Sequence, residues 1–117
     1  MKILLIDDSA LSRNMLKRSL GDQFDFLEAQ DGIQGLETYF LEKPDLVILD
    51  LTMPGINGLD LLAQLKQMDP SARVIIGTAD IQDYSRNLAE DLGAVGFITK
   101  PFVDENVRNA VTQALEG

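Results

Sequence analysis

Short apolar runs alternate along the chain with segments in which apolar residues recur at helical spacing. Ile3–Ile6, Leu46–Leu49 and Val74–Ile76 are continuous apolar runs, the character of strands covered on both faces. Val95–Thr99 is a fourth, interrupted by Gly96. Phe24–Ala29 is weaker, broken by Asp25 and Glu28, which suits an edge strand with one wetter face. Between these runs lie helix patterns. Val107, Ala110, Val111, Ala114 and Leu115 make one apolar stripe at i, i+3, i+4, i+7 and i+8. Leu59, Leu62, Ala63 and the stem of Lys66 mark a helix after Asn57-Gly58; Ile33, Leu36 and Phe40 mark another; Ile81, Tyr84, Leu88 and Leu92 a further one. The first helix is predicted from about Ser9 to Leu20, burying Leu11, Met15 and Leu16. Gly21 and Gly93 fall where helix C-caps are expected.

Five strands alternating with five helices predict an α/β fold, a parallel sheet with helices on both faces. Right-handed crossovers leave few topologies. The flavodoxin-like doubly wound order 2-1-3-4-5 is favoured, because it puts the polar interruption of the second strand at an edge. The chain shows no linker, low-complexity tract or repeat, and its 117 residues have room for one domain, 1–117. No apolar run approaches the ~20 residues that cross a bilayer. The Lys2–Ile6 stretch meets Asp7-Asp8 too early for a signal peptide. A cytoplasmic protein without membrane insertion is therefore expected.

Composition narrows the chemistry. Nineteen acidic against ten basic residues give a net charge of -9, which repels nucleic-acid phosphates, so no direct DNA or RNA partner is expected. With no cysteine there is no thiolate nucleophile or Cys-type zinc site. With no histidine there is no Ser-His-Asp triad, His-ligated metal or His general base. Carboxylates, hydroxyls, lysine, arginine and oxygen-bound hard metals remain.

In doubly wound sheets ligands bind beyond the carboxyl ends of the strands, where strand order reverses. Here that point lies between the first and third strands, where Asp7, Asp8 and Asp50 converge. Two unit charges about 4 Å apart repel by roughly 4 kcal/mol at an effective dielectric of 20. A cation in the site, or a proton on one carboxyl, relieves this. The predicted occupant is Mg²⁺ or Mn²⁺, with Asp8 and Asp50 as direct ligands and Asp7 mainly behind them. Taken singly, Asp7-Asp8 also suits a helix start, Thr78 an ordinary strand end and Lys100 a solvated one. Together on one sheet edge, Thr78 and Lys100 add a hydroxyl and an ammonium that complement an anion held on a metal. A carboxylate in such a site can itself attack phosphorus.

Read together, four segments closely resemble the receiver domain of bacterial response regulators: Ile3-Leu4-Leu5-Ile6-Asp7-Asp8-Ser9, Val47 to Gly58, Val74 to Ala79, and Gly96 to Phe102. The resemblance spans essentially the whole chain and implies roles. Asp50 would be the phosphoacceptor. Asp7 and Asp8 would be the metal-binding acidic pair, completed by the Thr52 backbone carbonyl. Lys100 and Thr78 would bind the phosphoryl oxygens, Phe97 would change rotamer on activation, and the Lys100-Pro101 peptide would be cis. Positions matching Thr52 and Asp80 would tune phosphate loss. The donor would be a histidine of a partner kinase or phosphotransfer protein, and the output a downstream protein bound by the surface of the fourth helix, fifth strand and fifth helix.

Ile81 and Tyr84 are candidates for that output face, although core packing is the expectation for both at their helical spacing. Gly77 suggests only close backbone packing. Three other readings compete. A phosphate-independent binding module of this fold would lack the acceptor or the lysine, and both are present. A haloacid dehalogenase-type aspartyl phosphatase would carry its nucleophile after the first strand, with a second acid two residues on. A flavodoxin-like FMN carrier would need a hydroxyl-rich phosphate loop where Asp7-Asp8 stand. The chain ends soon after the fifth helix pattern, so no output domain is expected within it.

Overall fold

Every residue of the runs Leu46–Leu49 and Val74–Thr78 is buried, as strands covered on both faces require. A computed structural model describes residues 1–116. The strands β1 (Lys2–Ile6), β2 (Asp25–Ala29), β3 (Leu46–Leu49), β4 (Val74–Thr78) and β5 (Gly96–Thr99) form one sheet in the order β2-β1-β3-β4-β5. All neighbouring pairs are parallel. The crossovers are α1 (Ala10–Leu20), α2 (Gly32–Glu42), α3 (Gly58–Met68), α4 (Asp83–Asp91) and α5 (Asp104–Glu116). This is the flavodoxin-like doubly wound order expected from the sequence.

Period-two alternation sends the strand side chains into two cores. Leu4, Ile6, Val47, Leu49, Val74 and Ile76 pack with Leu61, Leu62 and Leu65 of α3 and Ala89 of α4. Ile3, Leu5, Leu46, Ile48, Ile75 and Ile98 pack with Leu16 and Leu20 of α1 and Val107, Val111 and Ala114 of α5. Thus α1 and α5 cover one face, and α2, α3 and α4 the other.

The helices lie where the periodicity places them, but several present a different face to the sheet. The α5 stripe is buried as expected at Val107, Val111 and Ala114. In α2, however, Ile33 and Phe40 point to solvent, and the buried face is Gly32, Gly35 and Tyr39. A Cβ on Gly35 would stand 2.7 Å from Ile6 Cδ1, so the helix approaches the sheet closely at this glycine. In α1, Leu11 is exposed, while Arg13, Leu16, Ser19 and Leu20 are buried. In α3 the buried line runs through Leu61, Leu62 and Leu65, with Leu59, Ala63 and Lys66 flanking it half-buried. Ile81 precedes α4, and both it and Tyr84 are exposed, at 71% and 73%, which overturns the core expectation for them. The buried residues of α4 are the small Ser85 and Ala89. Val95 lies outside β5 and is half exposed.

Gly21 caps α1 with φ 76°, and Gly93 follows α4 with φ 100°, both in the left-handed region that glycine tolerates. Gly77 is explained by Phe102. A Cβ there would lie 3.2 Å from the Phe102 ring and 3.1 Å from Ile48 Cγ2.

Candidate phosphoacceptor and metal site

Because β1 and β3 are neighbours, with Ile6 opposite Leu49, the residues that follow them emerge side by side. Backbone bonds extend the sheet one step further: the Asp50 N–H donates to the Ile6 carbonyl at 3.0 Å, and the Asp7 N–H to the Ala29 carbonyl at 3.0 Å. Asp7 and Asp50 are both almost fully buried, and Asp8 is exposed. One oxygen from each of Asp7, Asp8 and Asp50 lies within 4.8 Å of the others.

Each buried carboxylate is oriented by the loop it begins. Asp7 Oδ1 accepts the Ser9 N–H at 2.9 Å, and the Ser9 hydroxyl in turn caps α1 by accepting the Ser12 N–H at 3.2 Å. Asp50 Oδ1 accepts the Thr52 N–H at 3.0 Å, while the Thr52 side chain faces solvent. The α3 N-terminus closes against this loop at Gly58. A Cβ there would clash with the Leu51 backbone and stand 2.9 Å from the Asp50 carbonyl oxygen.

Lys100 joins the two buried acids. Its ammonium is 2.9 Å from Asp7 Oδ2 and 2.9 Å from Asp50 Oδ2. Its backbone N–H donates to the Thr78 carbonyl at 2.9 Å, and the peptide to Pro101 is cis. Burial pushes the Asp7 carboxyl above its ordinary value, against the lowering pull of the Ser9 N–H and of Lys100; the Asp50 charge adds to the rise. Burial works to lower the Lys100 ammonium, but its bonds to Asp50 and Asp7 outweigh that and hold it above its ordinary value. Three carboxylates against one ammonium leave two negative charges, the complement of a divalent cation. The donor set, three carboxylate oxygens, suits Mg²⁺ or Mn²⁺.

Thr78 ends β4 fully buried, its hydroxyl accepting the Asp80 N–H at 3.2 Å. Asp80 is turned away from the acids. Its Oδ1 accepts the Gln82 N–H at 3.1 Å and its Oδ2 the Ser85 hydroxyl at 2.7 Å. Gln82, the N-cap of α4, makes no side-chain cap; Asp80 instead ties the helix start to the loop through the Gln82 N–H and the Ser85 hydroxyl. Phe97 is half-buried on β5 opposite Ile76, with the Arg86 guanidinium 5.3 Å from its ring centre. Asp7, Asp8, Asp50 and Lys100 therefore form one contact group; Thr78, Asp80 and Phe97 stand beside it along the β4 and β5 ends.

Sequence reading missed Arg13 and Glu28. Arg13 is buried on α1, its Nη1 donating to the Asp7 carbonyl at 2.6 Å and its Nε to Glu28 Oε1 at 2.9 Å. The available signal was Glu28 itself, a charge between the apolar Leu27 and Ala29 of β2, with a basic residue at Arg13 on the helix that follows β1.

The response regulator receiver domain model matches residues 3–112. The chain belongs to that family. It is 40% identical over 117 residues to the chemotaxis protein CheY of Listeria monocytogenes, covering 97% of this chain and 98% of the relative. It is 36% identical over 115 residues to the chemotaxis protein CheY of Halobacterium salinarum, covering 97% and 96%. A response regulator receiver domain protein from Clostridium thermocellum superposes with a TM-score of 0.89 at 31% identity, covering 98% of this chain and 94% of that one. As a receiver domain it is a signalling module of two-component systems. Among the described residues no helix is long and apolar enough to cross a membrane.

Proposed function

We propose that Asp50 accepts a phosphoryl group from a phosphohistidine of a partner kinase or phosphotransfer protein, and that the modified site switches the surface of α4, β5 and α5. The observation that carries this reading is Lys100 bridging the buried carboxylates of Asp7 and Asp50 beside the exposed Asp8. A bound Mg²⁺ would neutralise charge on the transferring phosphoryl oxygens. Asp7, Asp8, Asp50 and the Thr52 carbonyl are the groups that would hold it. The Thr52 N–H keeps the Asp50 carboxylate aimed. One Asp50 oxygen forms the new O–P bond as the P–N bond breaks, and the electron pair leaves with the imidazole nitrogen. The Lys100 ammonium then moves from carboxylate to phosphoryl oxygen. The acceptor belongs to this chain and the histidine to the partner, since this chain has none.

The switch follows from what Thr78 now holds. Its hydroxyl oxygen accepts one weak bond, from the Asp80 N–H at 3.2 Å, and its O–H donates to a phosphoryl oxygen once Asp50 is modified. That movement frees space into which Phe97 turns, taking its stacked Arg86 and the exposed Ile81 and Tyr84 of the α4 side with it. Thr52, exposed at the mouth of the site, and Asp80, committed to α4, set the lifetime of the phosphoryl group. The output is a protein, met in the cytoplasm, not a nucleic acid, given the charge of -9. Beyond its own phosphorylation and slow dephosphorylation, the chain needs no catalytic turnover.

Intact mass after incubation with acetyl phosphate and Mg²⁺ tests the reading, with Asp50→Asn and a metal-free sample alongside. One phosphoryl adduct that requires both Asp50 and metal supports it. A folded protein that takes no adduct would be a phosphate-independent binding module instead.

A further inference from the structure

Arg13 is the one buried cation among the described residues, at 7% exposure. A guanidinium withdrawn from water needs its hydrogen bonds met, and these two are specific. Nη1 takes the Asp7 carbonyl at 2.6 Å, and Nε takes Glu28 on β2 at 2.9 Å. Lys17, one turn further along α1, binds the other Glu28 oxygen at 3.1 Å. Arg13 holds the Glu28 carboxyl below its ordinary value, so Glu28 remains an anion that anchors it.

The Asp7 carbonyl belongs to the planar peptide that joins Asp7 to Asp8. Fixing that plane fixes the direction in which the Asp8 backbone continues, and with it the exposed Asp8 carboxylate. On its other side the Asp7 residue is held by the Ala29 carbonyl and the Ser9 N–H. We propose that Arg13 is a positioning residue for the divalent cation: it clamps the Asp7-Asp8 peptide, and Glu28 holds the clamp, so that the acidic pair is preset before the ion arrives. This rests on the reading of Asp7, Asp8 and Asp50 as a cation site. Arg13 never touches the ion or the phosphoryl group. Its own positive charge would by itself repel a cation, and Glu28, shared with Lys17, offsets only part of it, so what Arg13 contributes to cation binding is orientation.

Mn²⁺ is the probe, its free concentration read by room-temperature electron paramagnetic resonance in titrations of the unphosphorylated protein. Wild type is compared with Arg13→Gln, Glu28→Ala and Val111→Ala, all well below their melting temperatures. Val111 lies in the core under α5 and serves as the control for stability loss alone. Glu28 is partly exposed, so its variant folds even where Arg13→Gln does not. We expect Mn²⁺ affinity to fall about tenfold in Arg13→Gln and about threefold in Glu28→Ala, with Val111→Ala unchanged. Unchanged or tighter binding in folded Arg13→Gln and Glu28→Ala overturns the inference. So does equal weakening in Val111→Ala. If wild type itself binds no Mn²⁺, the cation site falls and the inference with it, a failure visible before any variant is compared.

Discussion

Replacing Lys100 by methionine removes the cation that two buried carboxylates share while keeping most of the side-chain volume. Each 2.9 Å contact has a gross Coulomb energy of about 6 kcal/mol at an effective dielectric of about 20. Desolvation offsets most of it. Deleting one member of such a buried group costs about 3–5 kcal/mol, because the remaining charges stay buried without compensation. The lower end applies here, since the Lys100 side chain is 20% exposed. About 3 kcal/mol corresponds to a fall of ~12 °C in melting temperature for a domain near this size. The pH dependence follows from the two raised values. The folded Lys100 ammonium lies above its ordinary 10.5, so the stability it contributes is fully present below that pH and is lost as pH rises past the folded value. Asp7 lies above its ordinary 3.8, so the penalty for burying its charge is felt above the folded value and is relieved as pH falls towards 3.8. Without Lys100 the Asp7 value rises further. The loss in Lys100→Met is therefore largest at pH 8 and shrinks at a pH approaching the ordinary 3.8, as Asp7 takes up a proton. Urea unfolding with chelator at both pH values measures it, and Mg²⁺ should restore part of the loss. A loss under about 1 kcal/mol at pH 8, or an equal loss at both pH values, would refute the buried-cluster argument and leave Lys100 as an ordinary surface ion pair.

Three further outcomes follow from close contacts elsewhere. Gly58→Ala pushes a Cβ into the Asp50–Leu51 backbone, so it should lower both melting temperature and the rate of adduct formation with acetyl phosphate; a variant with only lower stability would separate the loop from the site. Gly77→Val meets Ile48 and the Phe102 ring and should cost about 1–3 kcal/mol in urea unfolding, with Phe102→Leu in the same chain recovering part of it. Tyr39→Phe removes the hydroxyl that donates to Asp69 Oδ2 at 2.7 Å and should cost about 1 kcal/mol by thermal unfolding at neutral pH.

The strands were legible because burial on both faces leaves an uninterrupted apolar run, a signal that needs no phase. Helix faces depend on phase and on which residues carry weight. In α2 and α4 most of the buried positions are small, Gly32, Gly35, Ser85 and Ala89, and register weakly, with Tyr39 the one large exception, while the large Ile33, Phe40 and Tyr84 face solvent. Weighting apolar residues therefore placed Leu36 and Leu92 correctly against the core but set Ile33, Phe40 and Tyr84 on the wrong side. The acids converged because strand order alone brings the ends of β1 and β3 together. Arg13 was invisible for the opposite reason. Its role comes from a contact with a backbone carbonyl and with the strand that follows α1, and only the charge of Glu28 in that strand hints at it. The resemblance marks Asp80 as a position that tunes phosphate loss, but its carboxylate is taken by Gln82 and Ser85, an engagement that depends on how the β4–α4 loop turns.

Reductive trapping with borohydride tests the central claim most directly. Protein phosphorylated with acetyl phosphate and Mg²⁺ is reduced, digested and mapped by peptide mass, so that an aspartyl phosphate is recorded as homoserine at its own position. The account predicts conversion at residue 50, dependent on metal and absent from unphosphorylated protein. Conversion at Asp7, Asp8 or any other acid, with Asp50 intact, would contradict it.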